Sequence, residues 1–297
     1  MLPRSSSTAA PAAPGALLSV RGVSLRFGGI VALDGVSFDV RRGDICGLIG
    51  PNGAGKTTLF NCMSRLYPCQ AGDILLEGRS IIGLPTHAMA GLGLGRTFQN
   101  LAMFQHMSVL DNVMVGAHAR SSAGFVASAL RLPGVAAEER RLRARAAMVM
   151  DLLGLGPLAR RAAGSLPFGM QKRIELARAL AAEPGLLMLD EPAAGLNHEE
   201  LQDLAALIRD IRARLQVTVL LVEHHMGLVM GLCDHIVALN FGRKIAEGTP
   251  AQVQGHPEVI DAYLGPGGAT ATATAATAPA TATATATATL APRVSHG

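Results

Sequence analysis

The sequence predicts an α/β protein with a parallel sheet. Three short apolar runs have the length of buried strands, and they lie at residues 45–49, 186–189 and 217–222. Helical stretches are expected at 56–65 and 199–215, and one more short strand at 36–40, before a turn. Strands that alternate with helices favour a parallel sheet, because a parallel connection needs a crossover of helical length.

The composition is typical of a globular protein with one or two domains. The chain has 297 residues, of which 49% are hydrophobic and 16% charged. A chain of this length buries enough apolar surface for a core without a metal or disulfide. The low charged fraction predicts apolar surface that meets partners. A net charge of +4 is too small to indicate a nucleic-acid partner.

Both ends of the chain differ in composition from the middle. Residues 1–16 are expected to form a disordered leader, since they lack the continuous apolar segment of a signal peptide. Residues 266–297, largely alternating Ala and Thr, would bury too little surface to offset the entropy of ordering, so a disordered tail is expected. The folded domain is therefore expected over 17–265. No apolar run within it has the length of a membrane-spanning helix.

The four cysteines are expected to be reduced thiols, most of them buried. Cys46, Cys62, Cys69 and Cys233 form no C-x-x-C pair and show no regular spacing. A metal or redox role is therefore not expected, and reduced thiols favour the cytoplasm as the compartment.

The arginine-rich stretch at 138–153 predicts an amphipathic helix. Its apolar side chains recur at helical spacing, at Leu142, Ala146, Val149 and Leu153. The arginines fall mostly on the other face, and no aromatic residues interleave them for base stacking. A solvated face is therefore expected rather than a nucleic-acid patch.

A phosphate-binding motif follows the first predicted buried strand. Residues 50–57 fit the pattern G-x-x-x-x-G-K-[ST] and precede a predicted helix, which is the context that this motif requires. Glycines let backbone N–H groups turn towards phosphate oxygens, and the helix N-terminus adds positive potential. Lys56 supplies a cation, and Thr57 is a candidate ligand of Mg²⁺. The nucleotide-binding candidates are Gly50, Pro51, Asn52, Gly53, Ala54, Gly55, Lys56, Thr57 and Thr58.

Two carboxylates end the apolar run at 186–189. Asp190 is the candidate that orients the metal across the phosphates from the motif at 50–57. Glu191 lies just beyond the strand end, where it could polarise an attacking water as a general base. Adjacent acids alone would more often form a solvated turn, but the apolar strand and the phosphate-binding motif favour a catalytic role.

On these residues the chain resembles the ATP-binding cassette (ABC) ATPases, because Lys56, Asp190 and Glu191 occur in the order of that family. The resemblance implies ATP and Mg²⁺ as ligands. It also implies an ABC cassette fold, with a RecA-like core and mainly parallel sheet, a small antiparallel β subdomain and a helical subdomain at about 101–180.

The resemblance assigns roles to four further residues. Phe27 would stack on adenine, with a core phenylalanine as the alternative interpretation. Gln99 would contact Mg²⁺ or the attacking water and shift with a membrane partner. His224, which follows the last apolar run, would contact the γ-phosphate. Gly169 would offer a backbone donor to ATP held by a second subunit.

The sequence departs from the family pattern in three places. L-S-G-G-Q is replaced by L-P-F-G-M at residues 166–170, so the serine contact of the family cannot form at Pro167, although Gly169 and the helix N-terminus still offer donors. Asn197 stands where aspartate is common, and His225 stands where the subfamily usually has aspartate. Asymmetric pairing of two different cassettes is one explanation.

The segments RTFQN, DEPAAGLN and EVIDAYLG resemble one ATPase subunit of the branched-chain amino acid importers, over nearly all of 17–265. That resemblance implies two transmembrane permease subunits, a second ABC ATPase that is a sister subunit or a copy of this chain, and indirectly a periplasmic solute-binding protein. It places the chain on the cytoplasmic face of the inner membrane, with permease loops in a groove near Gln99 and residues 101–161.

Other functions stay open on the sequence alone. Related cassettes serve urea, short amides or other cargo. A soluble ABC protein outside transport is a second class, although such proteins usually carry two cassettes or a long inserted arm, and one phosphate-binding motif is found here. A regulator that binds nucleotide without hydrolysis is a third, because Pro167 and Met170 alter the signature.

Overall fold

The structure is a computed structural model that describes residues 15–97, 103–118 and 133–264, the side chains of 133–135 and 264 excepted. Its strands are β1 (Ala16–Phe27), β2 (Ile30–Arg41), β3 (Ile45–Ile49), β4 (Ala71–Leu76), β5 (Arg79–Ser80), β6 (Leu94–Arg96), β7 (Leu186–Asp190), β8 (Thr218–Val222), β9 (His235–Asn240) and β10 (Arg243–Gly248). Its helices are α1 (Lys56–Met63), α2 (Ala88–Gly91), α3 (Val109–His118), α4 (Pro133–Leu152), α5 (Phe168–Ala181), α6 (His198–Leu215), α7 (Met226–Leu232), α8 (Pro250–Gln254) and α9 (Pro257–Leu264).

A six-stranded sheet forms the centre of the protein, in the order β10-β9-β3-β8-β7-β6. All its neighbouring strands are parallel except the pair β9 and β10. The buried strands expected at 45–49, 186–189 and 217–222 are β3, β7 and β8, and the helices expected at 56–65 and 199–215 are α1 and α6. The predicted α/β class and its mainly parallel sheet are confirmed.

A separate antiparallel sheet has the order β2-β1-β4-β5. The strand expected at 36–40 is the second half of β2, which begins at Ile30. The prediction was too short because Asp34 and Gly35 interrupt the apolar pattern there. Pairing with β1 extends the strand past them, since Leu33 faces Leu25 and Val31 faces Arg26.

Two hydrophobic cores lie on the two faces of the central sheet. Successive side chains of a strand point to opposite faces, and β3 shows it: Ile45 and Ile49 belong to one core, Cys46 and Leu48 to the other. The first core joins the sheet to α3–α7. The second joins it to α1 and the antiparallel sheet. Because both faces are covered, the central strands are apolar throughout.

The helical part packs α3, α4 and α5 closely together. The amphipathic helix expected at 138–153 is the second part of α4, which ends one residue earlier, at Leu152, and the four apolar residues named above are buried. Arg140, Arg141 and Arg143 are exposed on the opposite face, as the predicted amphipathic pattern requires. Gly116 on α3 lies so close to α5 that an added Cβ would be 1.9 Å from the Arg178 carbonyl oxygen.

The cysteines are free, as expected, and three of them are buried. Burial raises the pKa of Cys46 well above its ordinary value and that of Cys233 to about 12. Both thiols are therefore protonated and inert at neutral pH. A search of the described residues for a helix that is both long and apolar enough to cross a membrane finds none.

Candidate functional site

The loop of residues 50–55 connects β3 to α1 and depends on glycine at two close approaches. Gly50 has φ 151° and Gly55 has φ 97°, both in the region that side chains disfavour. A Cβ on Gly50 would lie 2.3 Å from the Leu239 carbonyl oxygen, and one on Gly55 would lie 2.6 Å from that of Ala32. The loop is thus tightly seated between β9 and β2.

The start of α1 is open to an anion. Gly55 is its N-cap in the left-handed conformation, and no side chain caps the helix. Thr57 is exposed and Thr58 is partly buried in the first turn, while Asn52 and Gly53 are exposed in the loop. Backbone N–H groups at a helix N-terminus favour a phosphate group.

The Lys56 ammonium lies inside this loop. It donates to the carbonyl oxygens of Gly50 at 2.7 Å and Pro51 at 3.1 Å, and the residue is 6% exposed. Burial lowers the pKa of Lys56, while Glu191 and Asp190 oppose that shift. A partly desolvated cation at this position attracts a polyphosphate more strongly than an exposed one.

The Asp190 side chain is buried at the end of β7. Its Oδ2 accepts from Arg96 at 3.2 Å, whereas its Oδ1 is buried with no hydrogen-bond partner. Burial raises the pKa of Asp190, and Arg96 opposes the shift. Within the described part of the chain, no three His, Cys, Asp or Glu side chains gather as a metal site. The free acceptor fits a cation that takes its other ligands from Thr57 and phosphate oxygens.

Sequence reasoning missed the role of Arg96. At the end of β6, its guanidinium donates to Ser64 Oγ and Asn61 Oδ1, each at 2.8 Å, and lies 4.7 Å from the centre of the Phe60 ring. These three partners belong to α1 or follow it directly. Arg96 therefore ties the helix after the phosphate-binding loop to Asp190. No local pattern around Arg96 indicates these contacts.

Glu191 and His224 meet because β7 and β8 are neighbours. The Nδ1 atom of His224 lies 4.0 Å from Oε2 of Glu191, and the histidine side chain is 57% exposed. Glu191 has φ 46°, an uncommon backbone conformation for a residue other than glycine. Such local strain is typical of functional positions.

The Phe27 ring is 47% exposed at the end of β1. It makes an edge contact with Tyr67, with ring centroids 5.5 Å apart. The ring therefore presents an aromatic surface to solvent. Gln99 lies outside the described residues, two positions after Thr97 at the end of the described β6 segment.

The signature segment starts α5, with Pro167 at the N-cap position and no side-chain cap. Gly169 lies in the first turn, where an added Cβ would be 3.3 Å from Glu200 Oε1. The Phe168 ring packs near Gly195, and Lys172 lies over it at 5.4 Å from the ring centre. The signature therefore contacts the loop that follows Glu191.

The two other departures have structural roles. Asn197 forms a capping box at the start of α6, since its Oδ1 accepts from Glu200 N at 3.0 Å and Glu200 Oε2 accepts from Asn197 N at 2.9 Å. His225 caps α7, because its Nδ1 accepts from Leu228 N at 3.3 Å. Asparagine and histidine thus serve as helix caps where the family pattern has aspartate.

Two families match this chain. The family described as "ABC transporter" matches residues 33–194. The family described as "Branched-chain amino acid ATP-binding cassette transporter" matches residues 243–265. The first range includes the phosphate-binding loop, Asp190 and Glu191, and the second runs from β10 into α9.

Curated relatives match over most of their own length. The chain is 45% identical over 249 residues to the high-affinity branched-chain amino acid transport ATP-binding protein BraF of Pseudomonas aeruginosa, which covers 84% of this chain and 98% of BraF. It is 43% identical to the corresponding protein LivG of Escherichia coli strain K12, with the same two coverages.

Solved structures of ATP-binding cassettes share this fold. A nucleotide-free cassette from an ABC transporter is 30% identical, with a TM-score of 0.73, and covers 84% of this chain and 100% of its own. The ADP conformation of the cassette MJ1267 is 30% identical, with a TM-score of 0.74, and covers 84% of this chain and 99% of its own.

Proposed function

This chain belongs to the ATP-binding cassette transporter family as an ATPase of the branched-chain amino acid type, and from that premise we propose how its residues perform the work. The observation that carries the proposal is the placement of Lys56, Asp190, Glu191 and His224. All four lie at or just beyond the carboxyl ends of the adjacent parallel strands β3, β7 and β8. Ligands of open α/β sheets bind at that edge.

The phosphates of ATP bind to the loop of residues 50–58. Backbone N–H groups of the loop and of the first turn of α1 donate to the phosphate oxygens, and Lys56 neutralises part of their charge. The exposed ring of Phe27 stacks on adenine. Because Lys56 is buried, its charge acts on the phosphates with little screening by water.

Mg²⁺ would be held by Thr57, Asp190 and Gln99. When bound, the ion neutralises charge on the terminal phosphates during transfer. The buried, unpartnered Oδ1 of Asp190 supports this assignment, since a ligand oxygen needs a free lone pair. Arg96 occupies the other carboxylate oxygen, so Asp190 has one oxygen left for a ligand.

Glu191 takes a proton from water as the water oxygen attacks the γ-phosphorus. The bond to the β-γ bridging oxygen breaks, and ADP and phosphate leave. His224 and Lys56 stabilise the negative charge that develops on the γ-phosphoryl oxygens. The 4.0 Å between His224 Nδ1 and Glu191 Oε2 supports a role for both side chains at one phosphate group.

The start of α5 completes the site of a second cassette. Gly169 and the neighbouring backbone would donate to ATP held by that partner, which is a sister subunit or a copy of this chain. ATP between two cassettes draws them together, and hydrolysis separates them. That motion would drive two transmembrane permease subunits, whose loops rest near Gln99 and residues 101–161, with the chain peripheral on the cytoplasmic face.

Branched-chain amino acids are the proposed cargo. Support comes from the names of BraF and LivG and from the family matched at 243–265. A periplasmic solute-binding protein would select the cargo and deliver it to the permeases, so no cargo site is needed on this chain.

Glu191→Gln tests the catalytic assignment. Removal of a general base lowers kcat by about 100- to 10,000-fold, so we expect phosphate release to fall by at least about 100-fold while ATP still binds. Phosphate release and the dissociation constant of MgATP should be measured on the purified protein. Glu258→Gln, an exposed site on α9, is the matched control and should act like wild type. Full activity in Glu191→Gln would remove Glu191 as the base.

A further inference from the structure

A second glutamate, Glu223, lies at the end of β8, directly before His224. It is fully buried, at 0% exposure. A buried carboxylate is costly unless hydrogen bonds or opposite charge compensate it. The hydrogen-bond partners of the Glu223 carboxylate therefore indicate its role.

The Glu223 carboxylate accepts hydrogen bonds from two loops. Its Oε1 accepts from the backbone N–H of Ala193 at 2.7 Å. Its Oε2 accepts from the backbone N–H groups of His224 at 3.1 Å and His225 at 3.3 Å. One side chain thus links the loop after Glu191 to the loop that carries His224.

The same bonds surround the strained backbone of Glu191. The N–H of Glu191 donates to the Val222 carbonyl oxygen at 2.9 Å, and Ala193, two residues on, donates to Glu223. A left-handed backbone at a non-glycine residue persists only where its surroundings hold it. Here the backbone around Glu191 is held by hydrogen bonds to two consecutive residues, Val222 and Glu223.

Lys172 supplies countercharge. Its Nζ donates to the Glu191 carbonyl oxygen at 3.4 Å and lies within electrostatic range of Glu223. Burial lowers the pKa of Lys172, and Glu175, Glu223 and Glu191 oppose that shift. The Glu223 carboxylate therefore sits between backbone donors of both catalytic loops and a nearby cation.

We propose that Glu223 is a positioning residue for ATP hydrolysis, which fixes the Glu191 loop and the His224 loop relative to each other through one buried carboxylate. The inference rests on the proposed roles of Glu191 and His224. Neither oxygen of Glu223 bonds to the phosphate-binding loop of residues 50–55. Its loss should therefore affect the chemical step and leave ATP binding unchanged.

Glu223→Gln tests the proposal, because the amide keeps the size of the side chain but turns one acceptor into a donor that faces an N–H group. Misplacement of catalytic groups by about 1 Å costs about 100-fold in rate, so we expect kcat to fall about 10- to 100-fold with an unchanged dissociation constant for MgATP. Glu258→Gln is again the control. In the Glu191→Gln background, Glu223→Gln should add little further loss, since the two residues act as one unit.

The outcomes separate the two proposals. A wild-type protein that does not hydrolyse MgATP contradicts the proposed function. An active wild type with an equally active Glu223→Gln variant overturns only the role of Glu223. The role of Glu223 is also overturned if the rate, the ATP affinity and the folded fraction of the variant all fall together. A residue with a purely structural role would behave in that way.

Amide hydrogen exchange on the wild-type protein gives a test that needs no variant. If Glu223 joins the loops, the amides of Ala193, His224 and His225 should be protected to a similar degree, although His224 is on the surface. Exchange of the Ala193 amide at the rate of an open loop would overturn the proposal.

Discussion

At the scale of single residues, the buried pair between Arg96 and Asp190 determines how the metal-binding candidate is held. The two side chains are 10% and 2% exposed. Taking both charges out of water is costly, and Arg96 offsets part of that cost for Asp190 while its other donors bind Asn61 and Ser64. The pair therefore couples β6, α1 and β7 at the centre of the site.

Arg96→Leu should destabilise the protein strongly, because it leaves a buried carboxylate without its partner. Loss of one member of a buried pair costs about 3–5 kcal/mol, and we expect a loss of about 3 kcal/mol in the free energy of unfolding. The control is Arg42→Leu, which breaks an exposed pair with Glu77 worth at most about 1 kcal/mol. Urea unfolding compares the two variants, and equal losses would contradict this view of Arg96.

Glu247 on β10 should make stability depend on pH. Burial opposes its ionisation, but hydrogen bonds from His235 and Lys244 outweigh burial and lower its pKa below the ordinary 4.5. The folded state then binds this proton more weakly than the unfolded state. The contribution to stability is complete above pH 4.5 and is lost as the pH falls through the folded pKa.

The variant Glu247→Gln lacks that contribution at every pH. We expect its urea midpoint to fall less steeply than that of wild type as the pH is lowered past 4.5. Parallel curves for the two proteins would show that Glu247 has the same pKa in the folded and unfolded states.

Residues of this kind also mark the limit of sequence reasoning. The motif at 50–57 and the acids after β7 are contiguous, so their chemistry is visible locally. Arg96 and Glu223 act through partners 94 and 30 positions away, Asp190 and Ala193. Only the fold brings these groups together, and no periodicity or motif encodes the contact.

At the scale of elements, some features can again be predicted from the local sequence, whereas others depend on contacts made by the fold. The central strands β3, β7 and β8 are buried along their full length and are therefore predicted as apolar runs. The first half of β2 and the antiparallel sheet around it are not predicted as apolar runs. Glycines and charged residues interrupt their apolar pattern, and pairing with neighbouring strands keeps these segments extended. The close contact of α3 with α5 is likewise a property of packing, set by one residue without a side chain.

Gly116→Ala should separate α3 from α5. The added Cβ would fall 1.9 Å from the Arg178 carbonyl oxygen, so the helices must move apart. Overpacking of this kind costs about 1–3 kcal/mol. Gly231→Ala on α7 is the control, since nothing lies within 4 Å of its added Cβ and alanine favours a helix by about 1 kcal/mol.

Thermal unfolding should therefore show a lower midpoint for Gly116→Ala and an equal or higher midpoint for Gly231→Ala. A neutral Gly116→Ala would mean that the α3–α5 contact is looser than the structure describes.

At the scale of the whole molecule, the candidate site residues lie along one edge of the central sheet. The strands β3, β8, β7 and β6 run parallel and side by side, so the segments that follow them meet. The phosphate-binding loop follows β3, His224 follows β8, and Glu191 follows β7. The stretch of sequence that leads to Gln99 follows β6. Two hydrophobic cores pack on the two faces of the sheet behind this edge, which supports the proposed motion of the cassette as one body.

Coupled transport in proteoliposomes tests this protein as a motor. The chain should be reconstituted with the proposed partners, namely a second cassette, two permeases and a solute-binding protein. Leucine is added on the binding-protein side and MgATP on the cassette side. We expect leucine uptake to rise in step with phosphate release, and both to fall by at least about 100-fold with Glu191→Gln in this chain. Leucine uptake at the wild-type rate with that variant would contradict the role proposed for this chain.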